Sequence, residues 1–133
     1  MEIAKKPTKI LIVDDERDIV EILSYNLAKE NYEIFKAYDG KEAVSSARIN
    51  HPDVVIMDVR MPELSGIEAC RIMKNDSALK DTMILILTAD DDEYVALRAG
   101  EVGCDQYITK PVPPSFIVGM VKKLILRHNE ISS

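Results

Sequence analysis

Basic charge is in short supply in this 133-residue chain. Seventeen Lys and Arg stand against 23 Asp and Glu, a formal net charge of −6, and the sequence pI is about 4.9. A surface of that sign repels phosphate backbones, which argues against direct nucleic-acid binding. Long apolar runs are missing as well. None approaches the roughly 20 residues that cross a bilayer, so no membrane partner is expected. The basic start MEIAKKPTK leads only into KILIV, which is too short for a signal core and runs straight into charge. The expected setting is therefore the cytoplasm. Cysteine is scarce: Cys70 and Cys104 show neither CxxC spacing nor a paired His motif, so they supply no zinc set and no disulfide framework. They read as ordinary thiols in a reducing compartment. His51, beside Pro52, and His128, near the C-terminus, read as solvated surface residues. Linkers, low-complexity segments and internal repeats are also lacking.

What remains is an ample supply of apolar residues, 47% of the chain. A chain of this length buries about two-thirds of its unfolded surface, so one domain spanning residues 1–133 needs no staple. The apolar residues fall into short runs: KILIV (9–13), YEIFKA (32–37), VVIM (54–57), MILIL (83–87) and the weaker QYIT (106–109). Nearly continuous Val, Ile, Leu and Met mark strands buried on both faces, as in parallel sheets. Between the runs lie stretches with helical spacing. Ile19, Ile22, Leu23 and Leu27 share one face in 17–30, and Ala43, Val44 and Ala47 do so in 41–50. Ile67, Cys70 and Met73 line up in 66–75. In 114–128, Ile117, Val121 and Leu124 point inward, leaving Phe116, Met120 and Lys123 on the outer side. The segment 91–102 is weaker, because Gly100 interrupts it. Asp39-Gly40, His51-Pro52 and Met61-Pro62 fall between elements, where breaks belong.

Strand and helix alternating five times predict an α/β fold, a parallel sheet with helices on both faces and right-handed crossovers. Ligand sites in such sheets lie beyond the C-terminal strand ends. Those ends carry Asp14-Asp15-Glu16, Asp58, Thr88-Ala89 and Thr109-Lys110-Pro111. Three crowded carboxylates repel one another, and an oxygen-seeking divalent cation such as Mg²⁺ relieves the repulsion. Lys110 and Thr88 could hold phosphoryl oxygens, and an Asp carboxylate is a competent nucleophile toward phosphorus. Each residue has a plainer reading alone. The acidic pair suits a helix N-terminus, Asp58 an Asx turn, Thr88 an N-cap and Lys110-Pro111 a turn. Their joint placement, each at the proper end of its own strand, favours a site.

The motifs ILIVDDE, VVIMDVRMPELSG, ILILTAD and DQYITKP, in this order, resemble the receiver domains of two-component response regulators. The resemblance runs from about Lys9 to Leu126. It implies the flavodoxin-like strand order 2-1-3-4-5. It implies Asp58 as phosphoacceptor, and Asp14 and Asp15 as the acidic pair, with Asp15 the more direct Mg²⁺ ligand. The backbone carbonyl of Arg60 would complete the metal site. Thr88 matches the switch hydroxyl, Ala89 the small residue beside the phosphate and Tyr107 the aromatic switch. Lys110 matches the family lysine, followed by Pro111 in a cis peptide, and Gly66 matches the glycine after the MP turn. Arg60 and Asp90 would flank the phosphate and tune its hydrolysis. The implied partner is a sensor histidine kinase or phosphotransfer protein. Phe116 and Met120, two large apolar residues beside Lys123 on the outer side, suggest that helix four, strand five and helix five form a surface for a partner or for phosphorylation-dependent self-association. The implied chemistry is self-phosphorylation and autodephosphorylation only, not that of a dedicated enzyme.

Ser65 replaces the usual Asp or Asn before Gly66, and Val112 replaces the common Phe after Lys-Pro. Gly100 weakens helix four, and Gly119 sits in helix five. Three rivals stand beside this reading. A phosphohydrolase of the haloacid dehalogenase type would carry a second Asp where Arg60 stands. A flavodoxin-like electron carrier would carry a Ser/Thr/Gly-rich loop where Asp14-Asp15-Glu16 stands. A degenerate receiver serving only as a binding module would lack some of the key residues.

Overall fold

The structure, a computed structural model, describes residues 6–89 and 93–132. Five strands form one sheet: β1 (Lys9–Val13), β2 (Glu33–Ala37), β3 (Val54–Asp58), β4 (Met83–Thr88) and β5 (Gln106–Thr109). All pairings are parallel, in the order β2-β1-β3-β4-β5. Five α-helices alternate with them: α1 (Arg17–Ala28), α2 (Gly40–Asn50), α3 (Gly66–Lys74), α4 (Glu93–Glu101) and α5 (Pro114–Ser132). The expected fold class, strand order and strand positions are all present.

Strand alternation divides the core in two, since successive side chains point to opposite faces. Ile10, Ile12, Val54, Ile56, Met83, Leu85 and Leu87 meet the inner faces of α1 and α5 through Val20, Leu23, Leu27, Ile117, Val121 and Leu124. Leu11, Val13, Val55, Met57, Ile84 and Ile86 meet α2 and α3 through Ala43, Val44, Ala47, Ile67, Cys70 and Met73. Residues of β1, β3 and β4 are therefore buried whichever way they point, which is why their sequences read as unbroken apolar runs.

Local signals set the helix ends. The Asp39 carboxylate accepts a hydrogen bond from the Glu42 amide, so Gly40 opens α2 instead of lying between elements. His51 closes α2 in the left-handed conformation, φ 49°, and donates its N–H to Ala47 O. Ser65 caps α3 by accepting from the Glu68 amide, so its hydroxyl does the work a carboxylate or amide would do there. Gly100 does not interrupt α4, which passes through it to Glu101.

Some expectations fail. Ile22 is 52% exposed, and Val20 takes the inward position on α1 instead. Met120 is partly buried against the α1–α5 core and is not an outward residue. The His128 side chain is only 17% exposed, lying 3.8 Å from Asp53. α5 thus brings His128 beside the residue that precedes β3, a contact that helical spacing does not encode. A short 3₁₀ turn, Ser77–Leu79, tucks Leu79 under the core. The expected role of Asp90 lies outside the described residues.

Candidate functional site

Strand register delivers the site. Asp58 ends β3 opposite Leu87, so Thr88 stands one residue further along β4. Thr88 is in turn paired with Thr109, next to Lys110. The Lys110 amide donates to Thr88 O at 2.7 Å, and the Lys110–Pro111 peptide is cis. On the other side, the Asp14 amide donates to Ala37 O, carrying the β1–β2 pairing one step past Val13. Asp14 is thereby buried at the sheet edge, 2% exposed.

The charged groups converge. Carboxylate oxygens of Asp14, Asp15 and Asp58 lie within 4.8 Å of one another. Lys110 Nζ donates to Asp14 Oδ2 at 3.0 Å and lies 3.6 Å from Asp58 Oδ1. The other Asp14 oxygen accepts from the Glu16 amide at 2.9 Å, so Asp14 is held from two sides while Asp15 is exposed. Thr88 is buried and Tyr107 half-buried, its ring packed against the α2–α3 core. Arg60 and Ala89 are exposed at the rim.

The loop after Asp58 is fixed by backbone contact. Gly66 N donates to Val59 O at 2.8 Å. A Cβ on Gly66 would stand 2.0 Å from Asp58 O, which only glycine avoids. A second close approach was not foreseen: a Cβ on Gly40 would meet Leu64 O at 2.0 Å. The Asp39-Gly40 pair was legible as a break, but not as a seat for the β3–α3 loop.

Burial pushes the Asp58 carboxyl up to about 6. Lys110 opposes the rise; Asp14 and Asp15 add to it. Burial works to lower Lys110, but the hydrogen bond to Asp14 and the charges of Asp58 and Asp14 outweigh it and raise the ammonium further. Lys110 is thus a permanent cation, and Asp58 an anion kept in an environment that disfavours its charge.

A family model described as the response regulator receiver domain matches residues 10–122. The chain belongs to that family. It is similar to the alkaline phosphatase synthesis transcriptional regulatory protein PhoP of Bacillus subtilis, 42% identical over 125 residues, covering 94% of this chain and 51% of PhoP. It therefore spans about half of that relative. Among solved structures it is similar to a response regulator from Chloroflexus aurantiacus, 34% identical with a TM-score of 0.84, covering 91% of this chain and 99% of that one. It is also similar to chemotaxis protein CheY4 of Vibrio cholerae, 31% identical with a TM-score of 0.84, covering 90% and 99%. Receiver domains of two-component systems take a phosphoryl group on an aspartate.

The receiver's donor set fits a hard divalent cation. All three converging ligands are carboxylates, with no sulfur or imidazole among them. Apart from that cluster, no group of three or more His, Cys, Asp or Glu residues among the described residues offers a metal site. No helix of the described residues is long and apolar enough to cross a membrane.

Proposed function

We propose that Asp58 is the phosphoacceptor of this receiver, with a phosphohistidine on a sensor kinase or phosphotransfer protein as donor, or a small acyl phosphate. One observation carries the assignment. Asp58 places its carboxylate 3.6 Å from the Lys110 ammonium and inside the carboxylate cluster, at the end of the central strand β3. A carboxylate oxygen of Asp58 attacks phosphorus, the bond to the donor breaks, and the donor keeps the electron pair. Asp58 is left as an acyl phosphate.

Asp15, Asp14, Asp58 and the backbone carbonyl of Arg60 would hold Mg²⁺. Bound there, the ion would offset the negative charge of the carboxylates and of the incoming phosphoryl group. The residues of this chain do the rest. Lys110 takes one phosphoryl oxygen, and its bond to Asp14 keeps it aimed at the site. The Thr88 hydroxyl takes another. Such charge-assisted bonds contribute roughly 1.5–3 kcal/mol, and ~2 kcal/mol shifts a two-state population about thirtyfold. Drawing Thr88 inward vacates space under α4 for the Tyr107 ring, which links the site to the outer surface. Ala89 leaves room beside the phosphoryl group.

That outer surface is α4, β5 and α5, where a partner or a second copy docks. Tyr94 and Leu97 on α4 and Phe116 on α5 are 66%, 61% and 50% exposed, and large exposed apolar groups of this kind mark contact surfaces. We assign residues 1–133 to one receiver unit, active in the cytoplasm. Its chemistry ends with its own phosphorylation and dephosphorylation.

Incubation with acetyl phosphate and Mg²⁺, read by intact mass, tests the reading. Wild type gains one phosphoryl group, chelator stops the reaction, and Asp58→Asn gains none. Phosphorylation of Asp58→Asn at the wild-type rate would overturn it. In a Mg²⁺ titration, Asp15→Ala binds more weakly than Thr88→Ala; equal affinity of Asp15→Ala and wild type removes Asp15 from the ligand set.

A further inference from the structure

Away from the acidic site, two free thiols share one core cluster where α3 passes the junction of α4 and β5. Cys70 is fully buried on α3. Cys104, in the short connection from α4 to β5, is half-buried against the same core cluster, which also holds Met73, Ile84 and Ile86. Two contacts place Cys104 beside the α3 turn that follows Cys70. Lys74, one turn beyond Cys70 and on the same side, forms a 2.8 Å ion pair with Asp105. A Cβ on Gly103 would lie 3.7 Å from the Lys74 side chain. Gly103 and Asp105 thus both lie against Lys74, one helical turn from Cys70, with Cys104 between them, and Cys104 is close enough to act electrostatically on the Cys70 thiol. Gly103 makes this possible by adopting φ +89°, a conformation few other residues take. Further bonds clamp the arrangement: the Ile84 amide donates to Asp105 Oδ2 at 2.7 Å, Lys74 Nζ to Thr82 O at 2.8 Å, and the Cys104 amide to Ala99 O at 3.1 Å.

We propose that Cys70 and Cys104 form a vicinal dithiol that peroxide converts to an intramolecular disulfide, stapling α3 to the α4–β5 junction. The Cys104 sulfur, the more accessible of the two, attacks one peroxide oxygen; the O–O bond breaks and hydroxide leaves, giving a sulfenic acid. The Cys70 sulfur attacks that sulfur and expels the oxygen as water. In sum, two thiols and one hydrogen peroxide give one disulfide and two waters. The resting pair is protected: burial raises both thiols, Cys70 to about 12, so little thiolate exists at neutral pH. Oxidation is therefore slow at neutral pH and accelerates as the solution turns alkaline. Asp105 adds to the rise at both thiols and Lys74 opposes it at both.

The test treats the full chain with hydrogen peroxide across pH 7–9 and reads intact mass, non-reducing peptide maps and thiol titration after denaturation. Wild type loses two hydrogens, yields one peptide pair linking Cys70 to Cys104, and drops from two titratable thiols to none, faster at higher pH; dithiothreitol reverses this. Cys104→Ala and Cys70→Ser, tested separately, give no internal cross-link. Asp58→Asn cross-links like wild type, which separates this result from the phosphoryl-transfer reading. Linked dimers, stable oxygen additions without the mass loss, or two thiols that survive treatment would each overturn the proposal.

Discussion

Replacing the central carboxylate by its amide should stabilise the metal-free protein, although it should also abolish phosphorylation. Burial raises Asp58 from 3.8 to about 6, so the folded state binds its proton more tightly than the unfolded chain. The sign follows from linkage: a folded-state value above the unfolded one gives a contribution that worsens as pH rises from about 4 to about 6. Above that window the cost is complete. At about 1.4 kcal/mol per pH unit the ceiling is about 3 kcal/mol, and relaxation around the site brings the expectation to 1–3 kcal/mol. Asp58→Asn keeps the shape and loses the charge. Urea unfolding in the presence of chelator measures the difference. The variant should exceed wild type by 1–3 kcal/mol at pH 7.5, about 4–12 °C in Tm, and match it near pH 4. Adding Mg²⁺ to wild type should narrow the gap, since a ligand at a hundredfold its Kd contributes about 2.7 kcal/mol. A variant no more stable than wild type at pH 7.5, or a gap that ignores pH, would show that the buried Asp58 charge does not destabilise the fold.

Lys110→Ala removes the partner of Asp14 and Asp58; it should cost about 2 kcal/mol at neutral pH by chemical denaturation and cut the acetyl phosphate reaction at least tenfold. Two glycines should respond oppositely to Ala. Gly66→Ala drives a Cβ into the Asp58 carbonyl and should cost about 3 kcal/mol. Gly119→Ala meets nothing within 4 Å and should gain about 0.5–1 kcal/mol from helix propensity; thermal unfolding of both variants checks the pair. Thr88→Ala should still accept phosphate but lose most of the phosphorylation-dependent gain in dimer or partner affinity, and Tyr107→Ala should do the same, as read by analytical ultracentrifugation with and without phosphodonor.

The fold was legible because its signals are local and redundant. Ile10 to Val13, Val54 to Met57 and Met83 to Leu87 must be apolar on both faces, and no other architecture asks that of three short segments. The strand-end residues were legible for the same reason: once strands are parallel, Asp14, Asp58, Thr88 and Lys110 have nowhere else to go. What escaped the sequence depends on how separate elements meet. On α1, Val20 shares the inner face with Leu23 and Leu27, and Ile22 falls off it although it is just as apolar. The approach of α2 to Leu64 through Gly40, and of His128 to Asp53, are set by tertiary packing that no periodicity records. Nor does spacing show that Cys70 and Cys104, far apart in the chain, share one core.

The phosphoryl group should reside on Asp58 and nowhere else. The most direct test of that placement is to phosphorylate the protein with acetyl phosphate and Mg²⁺, reduce it with borohydride, which converts an acyl phosphate to an alcohol, and sequence the peptides by mass spectrometry. Homoserine is expected at position 58 alone, with Asp14 and Asp15 unchanged and no product without metal. Homoserine at position 14 or 15, or none at 58 despite a phosphorylated intact mass, would contradict the assignment to Asp58.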